Sequence, residues 1–321
     1  MYQVQATIRP RSITVYSVYL GDKRYSTKNA IPLVSSRDKG VIQSQKSRSR
    51  MRTALDILIY TATFKTVFVR KTEQFFRYKI NFITLTLPSA QQHTDKEIIS
   101  KIFSPFMEAW TKRSPGLLYV YKIETQDNGN LHFHVVTNTF YHYQKLRADW
   151  NRATEKLGYV SRSGIEDPNS TDVHALSNKG DIANYLTSYM SKKDLYSKKL
   201  KRWLQVYKNK LADKAREIVQ LPKNYFKNIK RKVTSNAWSA SKILLNFKAT
   251  SIYNDKEVSW RMLNLMHAKG CFVHKDYVDI LLLEKNCFTE FPEFKKLIDE
   301  KLKGVRHVQK QVRKFLEIEE L

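Results

Sequence analysis

Apolar residues along this chain fall into alternating runs and 3.6-residue stripes, and from residue 64 onward the two patterns succeed one another in a definite order. Phe64 to Val69, a polar turn at Lys71-Thr72-Glu73-Gln74, and Phe75 to Leu87 ending at Pro88 predict a hairpin. Its second strand carries Phe82-Ile83-Thr84-Leu85-Thr86-Leu87, a buried centre with the two threonines on the opposite face. Thr94 followed by Glu97 forms a capping box, and Ile98, Ile99, Ile102, Phe103, Phe106 and Trp110 continue at helical spacing, so a helix is predicted from about Asp95 to Lys112. Leu117 to Thr125, the turn Asp127-Asn128-Gly129 and Leu131 to Thr137 predict a second hairpin. Leu146, Trp150, Ala153 and Leu157 mark a helix closed by Gly158, a short strand surrounds Val173 to Leu176, and Asp181 to Lys193 reads as a further helix.

The order from residue 78 is therefore β-α-β-β-α-β, which predicts an α+β domain with a ferredoxin-like, or RRM-like, antiparallel sheet. Helices on one face would leave the other free to meet a ligand. Outside this domain the patterns weaken. Residues 1–60 combine a strand-like run, Ile13 to Leu20, with a Lys, Arg and Ser tract that culminates in Lys46-Ser47-Arg48-Ser49-Arg50-Met51-Arg52 and reads as a mobile basic arm or loop. A short helix, Thr53 to Tyr60, follows it. Residues 61–195 hold the predicted domain, and residues 196–321 read as a basic, helix-rich region with Lys223, Lys227, Lys230, Arg231 and Lys232 among aromatics and a last helix from about Phe291.

Charge narrows the partner. With 57 Lys and Arg against 30 Asp and Glu, a formal charge of +27, the chain calls for a polyanion, and nucleic acid is the leading candidate because each neutralised phosphate releases counterions. No run approaches the roughly 20 apolar residues of a membrane span, and the first residues lack a signal-peptide layout, so an intracellular protein with no membrane partner is expected. Cys271 and Cys287 are the only cysteines, which argues against a zinc knuckle or a disulfide scaffold. None of the nine glycines forms a P-loop, so any unwinding motor must come from another protein.

Candidate chemistry centres on Asn128-Gly129-Asn130-Leu131-His132-Phe133-His134. Strand alternation places His132 and His134 on one face while Leu131, Phe133 and Val135 enter the core. Two imidazoles side by side suit a divalent metal, and eight histidines in this length give only roughly 0.2 such pairs by chance. Tyr185 and Tyr189 share a face of the predicted helix with Lys192. Tyr-x-x-Lys recurs six times, so only the position of this copy, one strand-helix unit after the histidines, gives it weight.

These three segments, Phe82 to Leu87, the His132/His134 strand and Tyr185-Leu186-Thr187-Ser188-Tyr189-Met190-Ser191-Lys192, resemble in their order the rolling-circle replication initiators of the HUH endonuclease superfamily, the Rep proteins of small single-stranded DNA phages and plasmids. The resemblance covers about residues 75 to 195 and implies an HUH endonuclease palm. It implies a site-specific single-strand DNA endonuclease and strand transferase that nicks an origin through a 5′-phosphotyrosine. Tyr189, which has the Lys192 continuation, is the preferred nucleophile; Tyr185 is a second nucleophile or a core residue. Lys192 would stabilise the phenolate or the phosphotyrosine. The family usually adds a carboxylate or amide to the two imidazoles, here Glu124 or, alternatively, Gln126 on the partner arm, with Mg²⁺ or Mn²⁺ as the metal. Thr84 and Thr86 contact DNA or simply support the sheet, and Arg48, Arg50, Arg52 and Lys193 are further candidate DNA contacts. Implied partners are a single-stranded origin and a host helicase and polymerase, in the cytoplasm of a bacterial host cell. Two other readings stand beside this one: an HUH transposase, and a non-catalytic single-strand or RNA binder with an RRM-like sheet.

Overall fold

The computed structural model describes residues 2–10, 12–19, 45–126, 128–161, 167–176, 233, 236–247, 250–253, 264, 272–275, 278–282 and 292–318. The predicted helix 181–193, with Tyr185, Tyr189, Lys192 and Lys193, lies outside these residues, as do Cys271, Cys287 and the basic cluster 223–232.

A hairpin of β1 (Tyr2–Arg9) and β2 (Ser12–Tyr19) opens the chain, and α1 (Gln45–Thr61) follows. Then come β3 (Lys65–Val69), a single 3₁₀ turn (Arg70–Thr72), β4 (Gln74–Tyr78) and β5 (Ile80–Thr86). Next, α2 (Asp95–Ile98) runs through a π-helical turn (Ile99–Phe103) into α3 (Ser104–Arg113), and β6 (Tyr119–Thr125), β7 (Leu131–Thr137), α4 (Tyr143–Glu155) and β8 (Thr171–Leu176) complete the middle of the chain. The C-terminal part supplies β9 (Trp238–Ala240), α5 (Lys242–Leu245), β10 (Thr250–Tyr253), β11 (Phe272–Lys275), β12 (Val278–Leu282), α6 (Pro292–Lys301), α7 (Lys303–Lys310) and β13 (Phe315–Ile318).

The central sheet is antiparallel in the order β8-β5-β7-β6-β9, so the β-α-β-β-α-β succession expected from the sequence is present, with β9 added at one edge. Local chemistry explains its parts. Thr94 caps α2 with a complete capping box, its hydroxyl taking the Glu97 amide and the Glu97 carboxylate taking the Thr94 amide. Gly129 (φ +86) closes the β6–β7 turn, and Gly158 (φ +76) follows α4, where its amide bonds the Glu155 carbonyl.

Several expectations need correction. The tract Lys46 to Arg52 is the first half of α1, not an arm or loop, because Met51, Ala54, Leu55 and Leu58 form one apolar stripe that needs those turns to be helical. The run Phe75 to Leu87 is two strands in different sheets. It breaks at Lys79, between the exposed stretch of β4 and the buried β5. The region after 195, expected to be helix-rich, contributes β9 to the central sheet and β13 to a three-stranded sheet ordered β13-β3-β4. With β10, β11 and β12 it also builds, on β1 and β2, a five-stranded sheet ordered β10-β1-β2-β12-β11.

The most consequential correction concerns the faces of the central sheet. One face, through Ile83, Leu85, Ile123, Phe133 and Val135, packs on α2, α3 and α4 with Phe103, Phe106, Trp110 and Trp150. The opposite face is not free: Ile80, Phe82, Val120 and Val136 are buried under Met51, Ala54, Leu55 and Leu58 of α1, together with Ile298, Leu302 and Val305. An exposed stripe of β-branched and aromatic side chains would be costly in water, and α1 removes it. Only part of that face is left for chemistry.

Candidate functional site

Strand register determines which part. Because directly paired residues share a face, three rows can be read across the even-numbered face of the central sheet. The apolar row under α1 is His174, Phe82, Val136, Val120 and Ala240. The next row is Asp172, Thr84, His134, Lys122 and Trp238, and the row beyond it is Thr86, His132 and Glu124. The polar rows thus begin where the α1 core ends, and both histidines stand in them.

His134 is 1% exposed and His132 is half-buried, with ring centroids 4.3 Å apart. Phe82 stacks on His134 at 5.4 Å, and Thr84 Oγ1 lies 3.4 Å from His134 Nδ1, so the ring is held by packing on one side and a hydroxyl on the other. His134 Nε2 faces Glu124 Oε2 at 3.7 Å. The Lys122 ammonium, on a residue 5% exposed, donates to the other Glu124 oxygen. Burial opposes ionisation of Glu124, but the His134 hydrogen bond and the Lys122 charge outweigh it and hold the carboxyl down at about 2. Glu124 is therefore a carboxylate at neutral pH.

The sheet brings His132, His134 and Glu124 into one patch, with Thr84 behind His134. Thr86 is committed to support: its hydroxyl donates to the Ser170 carbonyl at 2.9 Å, and its own carbonyl accepts from Trp150 Nε1 at 2.7 Å. Gln126 lies beyond β6, where its backbone closes the turn through Asn130 and Gly129. With one Glu124 oxygen on Lys122, no group of three or more His, Cys, Asp or Glu is arranged to hold a metal ion among the described residues. The donor set is nonetheless of the right kind for a divalent cation: two imidazoles and an ionised carboxylate converge on one sheet face.

Three residues went unnoticed in the sequence. Lys122 is paired with His134 in the strand register, and its signal was its place two residues before Glu124 on an alternating strand. Asp172 and His174 share the same face on β8, with His174 Nε2 2.7 Å from Asp172 Oδ2. Their alternation was visible, but that β8 lies beside β5 was not.

The first turns of α1 end beside this patch. Trp238, opposite Lys122 in the register, donates from Nε1 to Ser47 Oγ at 2.6 Å. At the other end, Thr61 accepts from Gln309, which in turn accepts from Asn138 beyond β7. The helix therefore presents its N-terminal, positive dipole end toward the polar rows, with no acidic residue in its first turn. Arg50 and Arg52 are exposed and Arg48 is half-buried on this half of the helix.

Residues 80–194 match the model of a family of replication-associated proteins, the ORF2 type. The match supports a role in replication. The matched stretch is a little over a third of the chain; it starts at the first residue of β5, includes both histidines and Glu124, and reaches past Tyr185, Tyr189 and Lys192. A search of curated proteins and a search of solved structures each returned no match. Among the described residues, no helix is long and apolar enough to cross a membrane.

Proposed function

We propose that the chain is a metal-dependent, site-specific single-strand DNA endonuclease and strand transferase of the HUH kind, which nicks an origin to start rolling-circle replication. One observation carries the reading: His132 and His134 stand side by side on a central strand with an ionised Glu124 across from them, inside the stretch that matches a replication-associated family. That match favours initiation of replication over transposition.

In this reading His132, His134 and Glu124 hold Mg²⁺ or Mn²⁺, and Gln126 is the alternative third ligand. The metal, when bound, offsets charge on the non-bridging oxygens of the scissile phosphate. Thr84 keeps the Nδ1 proton of His134 on its own side, which leaves Nε2 to face the ligand position. Tyr189 supplies the nucleophile: its phenolate oxygen bonds to phosphorus, the bond to the 3′-oxygen breaks, and that oxygen leaves as a hydroxyl after taking a proton. The 5′-phosphotyrosine so formed keeps the phosphoester for rejoining by a later 3′-hydroxyl. Lys192 stabilises the phenolate, and Tyr185 serves as a second nucleophile or in the core. Arg48, Arg50 and Arg52, on the α1 end beside the patch, bind flanking phosphates with Lys193. Because the sequence has no P-loop, unwinding and synthesis fall to a host helicase and polymerase in a bacterial cytoplasm.

The test is cleavage of end-labelled single-stranded origin oligonucleotides with Mn²⁺ or with chelator. Metal-dependent nicking at one position is expected. Salt-sensitive binding with no cleavage in any metal would instead mark a non-catalytic single-strand binder.

A further inference from the structure

The strongest unexplained surface is the outward face of the three-stranded sheet. In the β3–β4 register Lys65, Val67, Phe76 and Tyr78 share the inner face, while Thr66, Phe68, Phe75 and Arg77 share the outer one. Lys65, Val67 and Tyr78 are buried, so the inner face is core. The outer face is not: Phe75 is 71% exposed, and every residue from Arg70 to Arg77 is exposed. Phe75 lies on Phe68 at 4.8 Å between ring centroids, and the Arg77 guanidinium lies over the Phe64 ring at 4.5 Å. Aromatic planes and a cation therefore alternate along a solvent-facing strand pair.

Single exposed aromatics are ordinary, but a contiguous set on a sheet face, interleaved with cations, points to a ligand. The charge around it says which. Arg70 and Lys71 flank one end, and exposed Arg313 and Lys314 adjoin the other, where the Lys314 carbonyl accepts from the Thr66 amide. Glu317, the acidic residue of β13, is neutralised by Arg70 at 2.6 Å. Within a chain of net charge +27, this face fits a polyanion that also offers flat apolar surfaces. Unpaired nucleobases on a phosphate backbone have both properties; an acidic peptide lacks the flat rings.

We propose that this face is a second single-stranded DNA contact, in which Phe75 stacks on a base and Arg77 engages a phosphate. It rests on the reading of the chain as a DNA-binding initiator and extends it by a site apart from the histidines. β4 leads directly into β5, so Phe75 is nine residues from Thr84, at most roughly 30 Å along the strands. A strand nicked at the histidine patch would be gripped again at that distance.

The experiment uses the full chain and a fluorescein-labelled oligothymidylate of roughly 20 nucleotides, read by anisotropy across a salt series. Phe75→Ala is expected to weaken binding about 5- to 150-fold, the worth of one stacked base, and Phe75→Tyr to retain wild-type affinity. Arg77→Ala should lower the slope of log affinity against log salt by about 0.7. Wild-type affinity in Phe75→Ala overturns the proposal, and so does a change confined to self-association by sedimentation, which would mark the β4 edge as a contact between copies. Oligonucleotide cleavage by Phe75→Ala is scored separately: cleavage with unaltered binding refutes this contact alone, whereas a wild-type chain that neither binds nor cleaves refutes the initiator reading as well.

Discussion

Replacing Glu124 by glutamine removes the counter-charge of an ammonium that has almost no access to water. Lys122 is 5% exposed and spends its charge on Glu124, whose carboxyl is held at about 2 against an ordinary value of 4.5. That difference corresponds to roughly 3 kcal/mol, and stranding one partner of a buried pair typically costs about 3–5 kcal/mol. The Glu124 side chain is 24% exposed, so water recovers part of this, and a loss of about 2–3 kcal/mol at pH 7 is expected. Because the folded chain holds the carboxyl below its ordinary value, it binds fewer protons than the unfolded chain. The stabilisation is full above pH 4.5 and is lost as pH falls from there toward 2. Urea denaturation from pH 7 down to pH 3 checks both statements, since Glu124→Gln should be weaker at pH 7 and lack this part of the acid slope. Lys122→Met with Glu124→Gln should recover most of the loss, as a double-mutant cycle on a coupled pair does. If Glu124→Gln matches wild type within about 0.5 kcal/mol at pH 7, the Lys122–Glu124 pair is not the anchor described here.

The remaining expectations follow from single sites. Burial, aided by the Lys79 charge, lowers the Lys65 ammonium to about 8 from 10.5, so wild-type stability should rise with pH between those values. Lys65→Met should abolish that rise and add about 1–2 kcal/mol at pH 7 in urea melts, less than full relief because the Thr63 and Lys79 carbonyls lose a donor. Gly116 has φ +79, and a Cβ there would lie 2.7 Å from the Val308 carbonyl oxygen, whereas Gly158 (φ +76) has nothing within 4 Å. Gly116→Ala should therefore cost about 2–4 kcal/mol and Gly158→Ala only about 1–2 kcal/mol by the same denaturation. His132→Ala should abolish calorimetric Mn²⁺ binding and lower metal-dependent nicking by about 100-fold or more while the fold is retained; Mn²⁺ affinity equal to wild type would remove His132 from the proposed ligand set.

Local signals made the centre of the chain legible. The Thr94–Glu97 box, the Asn128-Gly129 turn and the alternation around His132 and His134 each encode their geometry within a few residues, and all three occur in the structure. What failed was information held between distant segments. Nothing local to Lys46–Arg52 says that Phe82 and Val136 lie beneath the adjoining stripe of α1, so the tract read as a loop and the sheet face as open. The split of Phe75–Leu87 depends on β4 pairing with β3 while β5 pairs with β7 and β8. The same holds for the site: alternation places His132 and His134 together, but only register across four strands adds Lys122, Thr84 and Asp172 to their row.

The central claim is that a phenol from the matched stretch attacks DNA beside the histidine patch. It is tested most directly by incubating the chain with single-stranded origin DNA and Mn²⁺, digesting the product, and locating the 5′-phosphodeoxynucleotide adduct by mass spectrometry. The account requires the adduct on Tyr189, its disappearance from that position in Tyr189→Phe, and none formed with chelator. An adduct confined to a residue outside 185–192, or cleavage without any protein–DNA bond, contradicts it.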